Sequence, residues 1–492
     1  EIEASPVENE LTLVNNRIVA NSMETRGCVA SWDKANGSLF VHTTCQGSHH
    51  FKRVLGDMMF KLPPDKVRVV TTDVGGGFGM KYFCYPEHVL AVWATRRLGR
   101  PVKWTDERSE SFLSDHHGRD HQRVAELALD KNGKFLAVRL SGTGNAGAYI
   151  YPPMPATTNA VKNIIDVYAT PAMEVNSKVV FTNTTPLAAY RGAGRPEGNY
   201  YMERLIDTAA REMGIDRAEL RRRNHIAPQQ MPYKAPSGMN YDSGEFTAIL
   251  DKALHAADWD GFEKRRAESA ARGKLRGRGI GQYLEVTGPP AKEYGGIRFE
   301  ADGTVTMLSG TLDYGQGHAS PFAQVLSEQT GIPFERLRLL QGDSDQLKVG
   351  GGTGGSKSAL VASQAFLEAG DKLIEQGKQI AAHVMEASAA DIEFNRGRFT
   401  IAGTDRSIGI MDLADKLRGG LKLPADLPQS LDVSHISDNP PFSFPNGCHV
   451  AEVEIDRETG VIEVERYFMV NDFGTVINPM LVAGQAHGGV VQ

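Results

Sequence analysis

Gly350 to Ser358 reads GGGTGGSKS, and Gly75 to Lys81 reads GGGFGMK. Glycine has no Cβ, so its backbone reaches φ > 0 and approaches a ligand closely, leaving amide N–H groups to face an anion. Each stretch follows a β-like run, and the pair suggests a large anionic cofactor gripped from two sides. Taken singly, each is equally a tight turn. A nucleotide P-loop ends in Gly-Lys-Ser/Thr, but Lys357 comes after Ser356 and Lys81 is followed by Tyr82. Neither stretch carries a GxGxxG fingerprint with an acidic residue about 20 positions on.

Working outward, the same order of signals surrounds both stretches. Before the first lie a hairpin, CVASWDKANGSLFVHTT, turning at Asn36-Gly37, then Gln46-Gly47, a helical piece around Val54-Leu55, Pro63-Pro64, the β-like run Lys66 to Val70, and Asp73. Before the second lie IRFEADGTVTMLSG, turning at Asp302-Gly303, then Gln316-Gly317, a helix through Val325-Leu326, Pro333, the run Arg336 to Leu340, and Asp343. A further hairpin follows each: AELALDKNGKFLAVRL and AEVEIDRETGVIEVERY. This is the signature of an internal duplication, two α+β lobes of one design, and a ligand between them would meet one glycine loop from each. The Pro, Gly, Gln and Met-rich stretch from Pro228 to Ser243 places the division between them, giving domains 1–230 and 231–492.

Three helices are predicted. Pro86 opens one in which Val89, Leu90, Trp93, Ala94 and Leu98 share a core face, ended by Gly99. A second runs through Met202, Leu205, Ile206, Ala209 and Met213 to Gly214, and Asp216 with Glu219 forms a capping box for a third.

With 492 residues, 41% hydrophobic and 23% charged, the chain can build more than one core. A formal charge of -6 argues against a nucleic-acid binder, which needs clustered Lys and Arg. The one tight basic run, Arg221 to Arg223, reads as a solvated helix face. No stretch approaches the roughly 20 apolar residues of a membrane span. The four cysteines are scattered with no CxxC pair, which argues against a disulfide scaffold, a zinc site or an iron–sulfur cluster held by this chain, and fits reduced thiols in a cytoplasmic protein.

Residues 188 to 197, AAYRGAGRPE, present the Arg191 guanidinium between flexible glycines; a ligand contact and a structural salt bridge are both open. Gln316 and His318 in GQGHAS are possible donors to a polar ligand, although a turn glutamine and a core histidine are the commoner uses. No GxSxG elbow or Ser/His/Asp order supports a serine hydrolase.

Taken together, DVGGGFGMK at 73–81, GRPVKWTDERSE at 99–110, AYRGAGRPE at 189–197, GQGH at 315–318, GDSD with GGGTGGSKS at 342–358, NGCHVAEVEID at 446–456 and INPMLVAGQAHGG at 477–489 resemble the molybdenum-cofactor subunit of the xanthine oxidase family, particularly the large subunits related to aerobic carbon monoxide dehydrogenase. The resemblance runs in order along nearly the whole chain. It implies two cofactor-binding lobes with a molybdenum-bearing pyranopterin, the cytosine dinucleotide form, in the cleft between them and no direct protein ligand to the metal. By the same resemblance Gly77, Phe78 and Gly79 bring backbone near the molybdenum ligands. Gln316, Gly317 and His318 contact the cofactor, Thr353, Gly355, Ser356, Lys357 and Ser358 wrap pterin and phosphates, and Gln485 closes the site. Arg191 lies at the substrate side; Arg191 and Gln316 are the expected catalytic groups. The implied reaction is hydroxylation of an electron-poor carbon with oxygen from water. Electrons leave through [2Fe-2S] centres on a small subunit to FAD on a medium subunit.

Three departures refine the expectation. Carbon monoxide dehydrogenases carry a copper-holding cysteine in the active-site loop, where this chain reads Arg191-Gly192-Ala193-Gly194. Ala193 also replaces the phenylalanine that stacks on purines, which favours an aldehyde or N-heterocycle as substrate. Finally, the family's general-base glutamate lies in a Gly-Glu motif beyond the last residue, Gln492, so the isolated chain is expected to be catalytically incomplete, as a fragment or with a second chain supplying the C-terminal part. Rival readings are a nicotinamide dehydrogenase, a non-catalytic scaffold that keeps the cofactor fold, and carbon monoxide dehydrogenase-like activity.

Overall fold

The computed structural model describes residue 2 and residues 5–150, 163–288, 291–438 and 440–492. The two halves repeat one strand plan. In the first, Gly27–Asp33 pairs antiparallel with Ser38–Thr43, which pairs parallel with Val67–Val70, and Val102–Thr105 closes the other edge. In the second, Glu293–Phe299, Val305–Ser309, Leu337–Leu340 and Val433–Ser437 take the same places. The tight turns use Gly37 at φ 62 and Gly303 at φ 84, a region that favours glycine. A parallel pair needs a crossover. It is supplied by Ser48–Lys52, running on into a π-helical segment Arg53–Phe60, and by the helix Ala319–Thr330.

Each half also contributes a second sheet. Val7–Asn15, His121–Leu129, Phe135–Gly147 and Ala172–Phe181 form one, and Lys274–Leu284, Asn446–Asp456 and Ile462–Asp472 the other. Packing sorts the sheets by kind rather than by half. One compact unit comprises Glu1–Ala20, Phe112–Val286 and Ser443–Gly474, and holds both of these second sheets. The other comprises Asn21–Ser111, Thr287–Phe442 and Thr475–Gln492, and holds both glycine-loop sheets. Each half carries one glycine loop, and both loops fall in this second compact unit. The reason is direct bonding between the copies: Thr71 N donates to Gly342 O at 3.0 Å and Ser344 N to Val69 O at 3.0 Å.

The cores follow from periodicity. In the first unit the helix Arg195–Met213 buries Met202, Leu205, Ile206 and Ala209 against Ala125, Leu127 and Leu140, and ends at Gly214 with φ 65. In the second, the helix Ser358–Val384 buries Ala362, Phe366, Ala369, Leu373 and Ile380. Each fully buried Leu or Phe contributes about 1.5–3 kcal/mol.

Three expectations are corrected. The helix Pro86–Leu98 buries His88, Ala91, Val92 and Thr95, leaving Leu90 60% and Trp93 54% exposed. His88 wedges between Phe51 and Trp104 at ring distances of 5.1 and 6.0 Å, so shape rather than mean hydropathy selects the inner face. Arg221 is fully buried, bound to Glu203 at 2.6 Å and Asp207 at 2.9 Å; only Arg222 and Arg223 remain toward solvent. Asp216 does cap its helix by accepting from Ala218 N and Glu219 N, but Glu219 turns to Arg223 at 2.9 Å instead of closing the box.

No helix among the described residues is long and apolar enough to cross a membrane. The four cysteines are unpaired thiols, and burial pushes Cys45 up to about 11 and Cys28 to about 12.

Candidate cofactor-binding site

The first glycine loop is bonded within its own protein at both ends, while the N–H groups of Gly76 and Gly77 find no acceptor among the described residues. Gly75 N donates to Glu24 Oε2 at 2.7 Å, and the buried Lys81 ammonium pairs with the same oxygen at 2.6 Å. Phe78 at φ 52 and Gly79 at φ 100 turn the chain so that Gly79 N donates to Gln46 Oε1 at 2.9 Å. A Cβ at Gly77 would lie 2.6 Å from that oxygen, so any side chain there would displace the Gln46 amide.

Gln46 joins the two loops. Its Nε2 donates to Thr353 O at 3.1 Å, and its backbone carbonyl accepts from Thr353 N at 2.9 Å. Sequence reasoning passed over Gln46, although a signal existed: Gln46-Gly47 occupies the place in the repeat that Gln316-Gly317 occupies in the other copy.

The second loop is left open. Gly355, at φ 71, accepts from Gly288 N at 2.7 Å, and a Cβ there would sit 2.0 Å from Gly288 O. Thr353 and Ser358 brace the loop from within: the Thr353 hydroxyl accepts from Leu312 N at 3.0 Å and shares a hydrogen bond with the Ser358 hydroxyl at 2.8 Å. Between them, the N–H groups of Gly354, Gly355, Ser356 and Lys357 find no acceptor among the described residues. They sit at the N-terminus of the 27-residue helix Ser358–Val384, where aligned peptide dipoles add about half a positive charge.

Lys357 is 9% exposed, and burial pulls its ammonium below the ordinary lysine value while nearby Glu293 opposes that pull. Glu293 accepts from Gly310 N at 2.6 Å, and burial pushes its carboxyl up to about 7. At Gly354 a Cβ would meet nothing within 4 Å among the described residues. Orphan amides, a helix N-terminus, a buried lysine and open space fit an anionic, phosphate-bearing cofactor.

The GQGH segment stands beside these loops in the same unit. The Asp313 carboxylate accepts from the backbone N–H groups of Gly315, Gln316, Gly317 and His318 at 2.9, 2.8, 3.2 and 2.7 Å. Burial would raise the Asp313 carboxyl, but His318 and these amides hold it below its ordinary value. Gln316 Oε1 accepts from Tyr314 N at 2.8 Å, and its amide N–H₂ has no acceptor among the described residues. His318 is buried against Phe322, with Nδ1 3.3 Å from Gln341 Nε2; burial holds its ring below the ordinary histidine value. Gln485, on the helix Pro479–Val491, donates to Gly315 O at 3.2 Å, and Leu481 packs where a Gly317 Cβ would fall, at 2.9 Å.

Arg191 belongs to the other unit. Its loop strings together three left-handed residues, Gly192 at φ 89, Ala193 at φ 43 and Gly194 at φ 101. Non-glycine residues adopt this region at a cost of order 1–3 kcal/mol. Glu197, fully buried, accepts from Gly194 N at 2.8 Å and pairs with Arg119 at 3.2 Å. Burial keeps the Glu197 carboxyl above its ordinary value although Arg119 and backbone N–H groups favour the charged form. Arg119 was not foreseen; within GRDH nothing marks it as different from a surface arginine.

Comparison with known proteins places this arrangement in a class. Residues 1–225 and 252–492 each match a family model of the molybdopterin cofactor-binding domain. The chain belongs to this family, as a molybdenum-binding subunit of the xanthine oxidase type. It is 35% identical to the carbon monoxide dehydrogenase large chain of Hydrogenophaga pseudoflava, over 99% of this chain and 63% of that protein. It is 32% identical to the nicotine 6-hydroxylase large subunit of Paenarthrobacter nicotinovorans, over 97% of this chain and 60% of that protein. The structure of quinoline 2-oxidoreductase from Pseudomonas putida 86 superimposes with a TM-score of 0.93 at 31% identity, covering 100% of this chain and 64% of that one. The chain thus spans between 60% and 64% of the length of these relatives.

Proposed function

We propose that this chain is the cofactor-binding large subunit of a molybdenum hydroxylase that oxidises an aldehyde or an N-heteroaromatic carbon. The observation that carries the reading is the open second loop: four amides with no acceptor among the described residues and a buried lysine at the head of a long helix. When bound, the molybdenum centre supplies two-electron oxidation of the substrate carbon with water as the oxygen source. Gly354 to Lys357 hold the anionic end of the cofactor, in its cytosine dinucleotide form, by backbone N–H donation. Gly77 to Gly79, fixed by Gln46, give the pterin a close-approaching backbone wall. Gln316 and Gln485 lie on the GQGH side, where the Gln316 amide is a donor to the cofactor. His318 supports that segment from the core. Arg191 orients the substrate by charge-assisted hydrogen bonding.

Electrons pass to a [2Fe-2S] small subunit and an FAD medium subunit, in keeping with a chain whose four scattered thiols form no cluster motif. A cytoplasmic setting accords with the unpaired thiols. The reading is tested on protein purified from its native host with its partners, assayed with aldehydes and N-heteroaromatics in water enriched in heavy oxygen. Product carrying the label is expected. Turnover with the label absent from the product would overturn the hydroxylase reading.

A further inference from the structure

The Arg191 loop is gripped by a residue that does not belong to it. The Arg119 guanidinium donates through one nitrogen to Tyr190 O and Glu197 Oε1, both at 3.2 Å, and through another to Arg191 O at 2.8 Å, while its Cζ lies over the Tyr190 ring, 4.7 Å from the centroid. Arg119 is 8% exposed and sits at φ 65, followed by Asp120 at φ 66. Two consecutive non-glycine residues in the left-handed region are held there by the surroundings. The segment before Arg119 is pinned along the same stretch: His117 N donates to Pro186 O at 3.1 Å and Ala188 N to His117 O at 3.0 Å. Gly118 admits Tyr190 so closely that a Cβ would lie 2.4 Å from Tyr190 Cβ. On the far side, Glu197 ties Arg119 to Gly194 N and hence to the head of the helix Arg195–Met213.

We propose that Arg119 is the positioning residue for Arg191. Its planar fork fixes the carbonyls of residues 190 and 191, and with Glu197 it sets the left-handed run 192–194, so that the Arg191 side chain leaves the backbone in one direction. A lysine keeps the charge beside Glu197 but has no fork to hold both carbonyls. The inference rests on the reading that Arg191 orients substrate.

The test uses the assembled, cofactor-loaded enzyme carrying Arg119→Lys, Arg191→Ala and both together. Arg119→Lys alone is expected to lower kcat/KM between about tenfold and hundredfold with molybdenum content unchanged. In the Arg191→Ala background the same change is expected to cost less than about twofold, because the group it positions is gone. Equal losses in both backgrounds would overturn the proposal. Tryptic cleavage after Arg191 gives a readout independent of turnover: it is expected to accelerate in Arg119→Lys, and an unchanged rate contradicts the clamp. Should Arg191→Ala leave turnover intact, the substrate role of Arg191 fails, while the cleavage rate still judges the clamp by itself. If Arg119→Lys does not fold, Glu197→Gln, which weakens the same ion pair but keeps an acceptor for Gly194 N, carries both measurements with the same expected and contrary results.

Discussion

The two glycine loops have nearly the same composition and the same place in a repeated strand plan, and both leave amides without an acceptor among the described residues, yet they use their glutamate and lysine differently. In the first, the glutamate–lysine pair is closed: Glu24 and Lys81 meet at 2.6 Å, and Glu24 also takes Gly75 N. In the second, Glu293 Oε1 accepts from Gly310 N at 2.6 Å and Tyr294 N at 2.8 Å, and the N–H groups from Gly354 to Lys357 have no acceptor among the described residues. The repeat carries two loops with amides free to face an anion; in the first, the Glu24 carboxylate already neutralises the lysine, and in the second, the run of amides from Gly354 to Lys357 lies at a helix N-terminus.

The widest break in the comparison comes from Gly355→Val. A Cβ 2.0 Å from Gly288 O, at φ 71, cannot be accommodated without moving the loop. Bound molybdenum and pterin should fall to background while circular dichroism still reports the native strand and helix content. Full cofactor content in a folded Gly355→Val protein would remove the second loop from the site.

Glu293→Gln sharpens the electrostatic side. Burial raises the Glu293 carboxyl from its ordinary value of 4.5 to about 7, so the folded state keeps a proton that the unfolded chain loses between those values. Its stabilising contribution is complete below about pH 4.5 and is lost as pH rises through about 7. The glutamine variant should match the parent near pH 4.5 and exceed it by about 3 kcal/mol above pH 7 in denaturant titrations. A constant difference across that range contradicts the assignment.

The two lysines give the next contrast. Lys81→Met breaks a partly buried ion pair and should cost about 2 kcal/mol of stability, with cofactor retained at low temperature. Lys357→Met should change stability by less than about 1 kcal/mol yet weaken cofactor retention about tenfold, judged by the molybdenum left after dialysis. Exchanged phenotypes would reverse the roles given to the two loops. The smallest effect is expected of Gly354→Ala: with nothing among the described residues within 4 Å of the new Cβ, the melting temperature should stay within about 2 °C, while the methyl group intrudes on cofactor space and lowers molybdenum content a few-fold.

Much of the strand plan was legible because hairpin turns, Gln-Gly steps and β-branched runs recur in one order, and that order survives folding. How the halves pack was not legible, since periodicity reports which face of a sheet is apolar and not which other sheet will cover it. The glycine-loop sheets found each other, and the two loops came together through Gln46, whose role depends on contacts from Gly79 to Thr353 that are far apart in sequence. The outer face of Pro86–Leu98 was misassigned for a related reason: a histidine whose ring fits between Phe51 and Trp104 outweighs Leu90 and Trp93 in the choice of face. Arg221 and Arg119 show the same limit for charge, since buried arginines with carboxylate partners look in sequence like any solvated ones.

The measurement that tests the central claim most directly is molybdenum and released pterin nucleotide per chain, on protein purified from its native host with whatever copurifies. The account predicts stoichiometric molybdenum and a pterin dinucleotide. A folded, partner-bound chain that carries neither would contradict it.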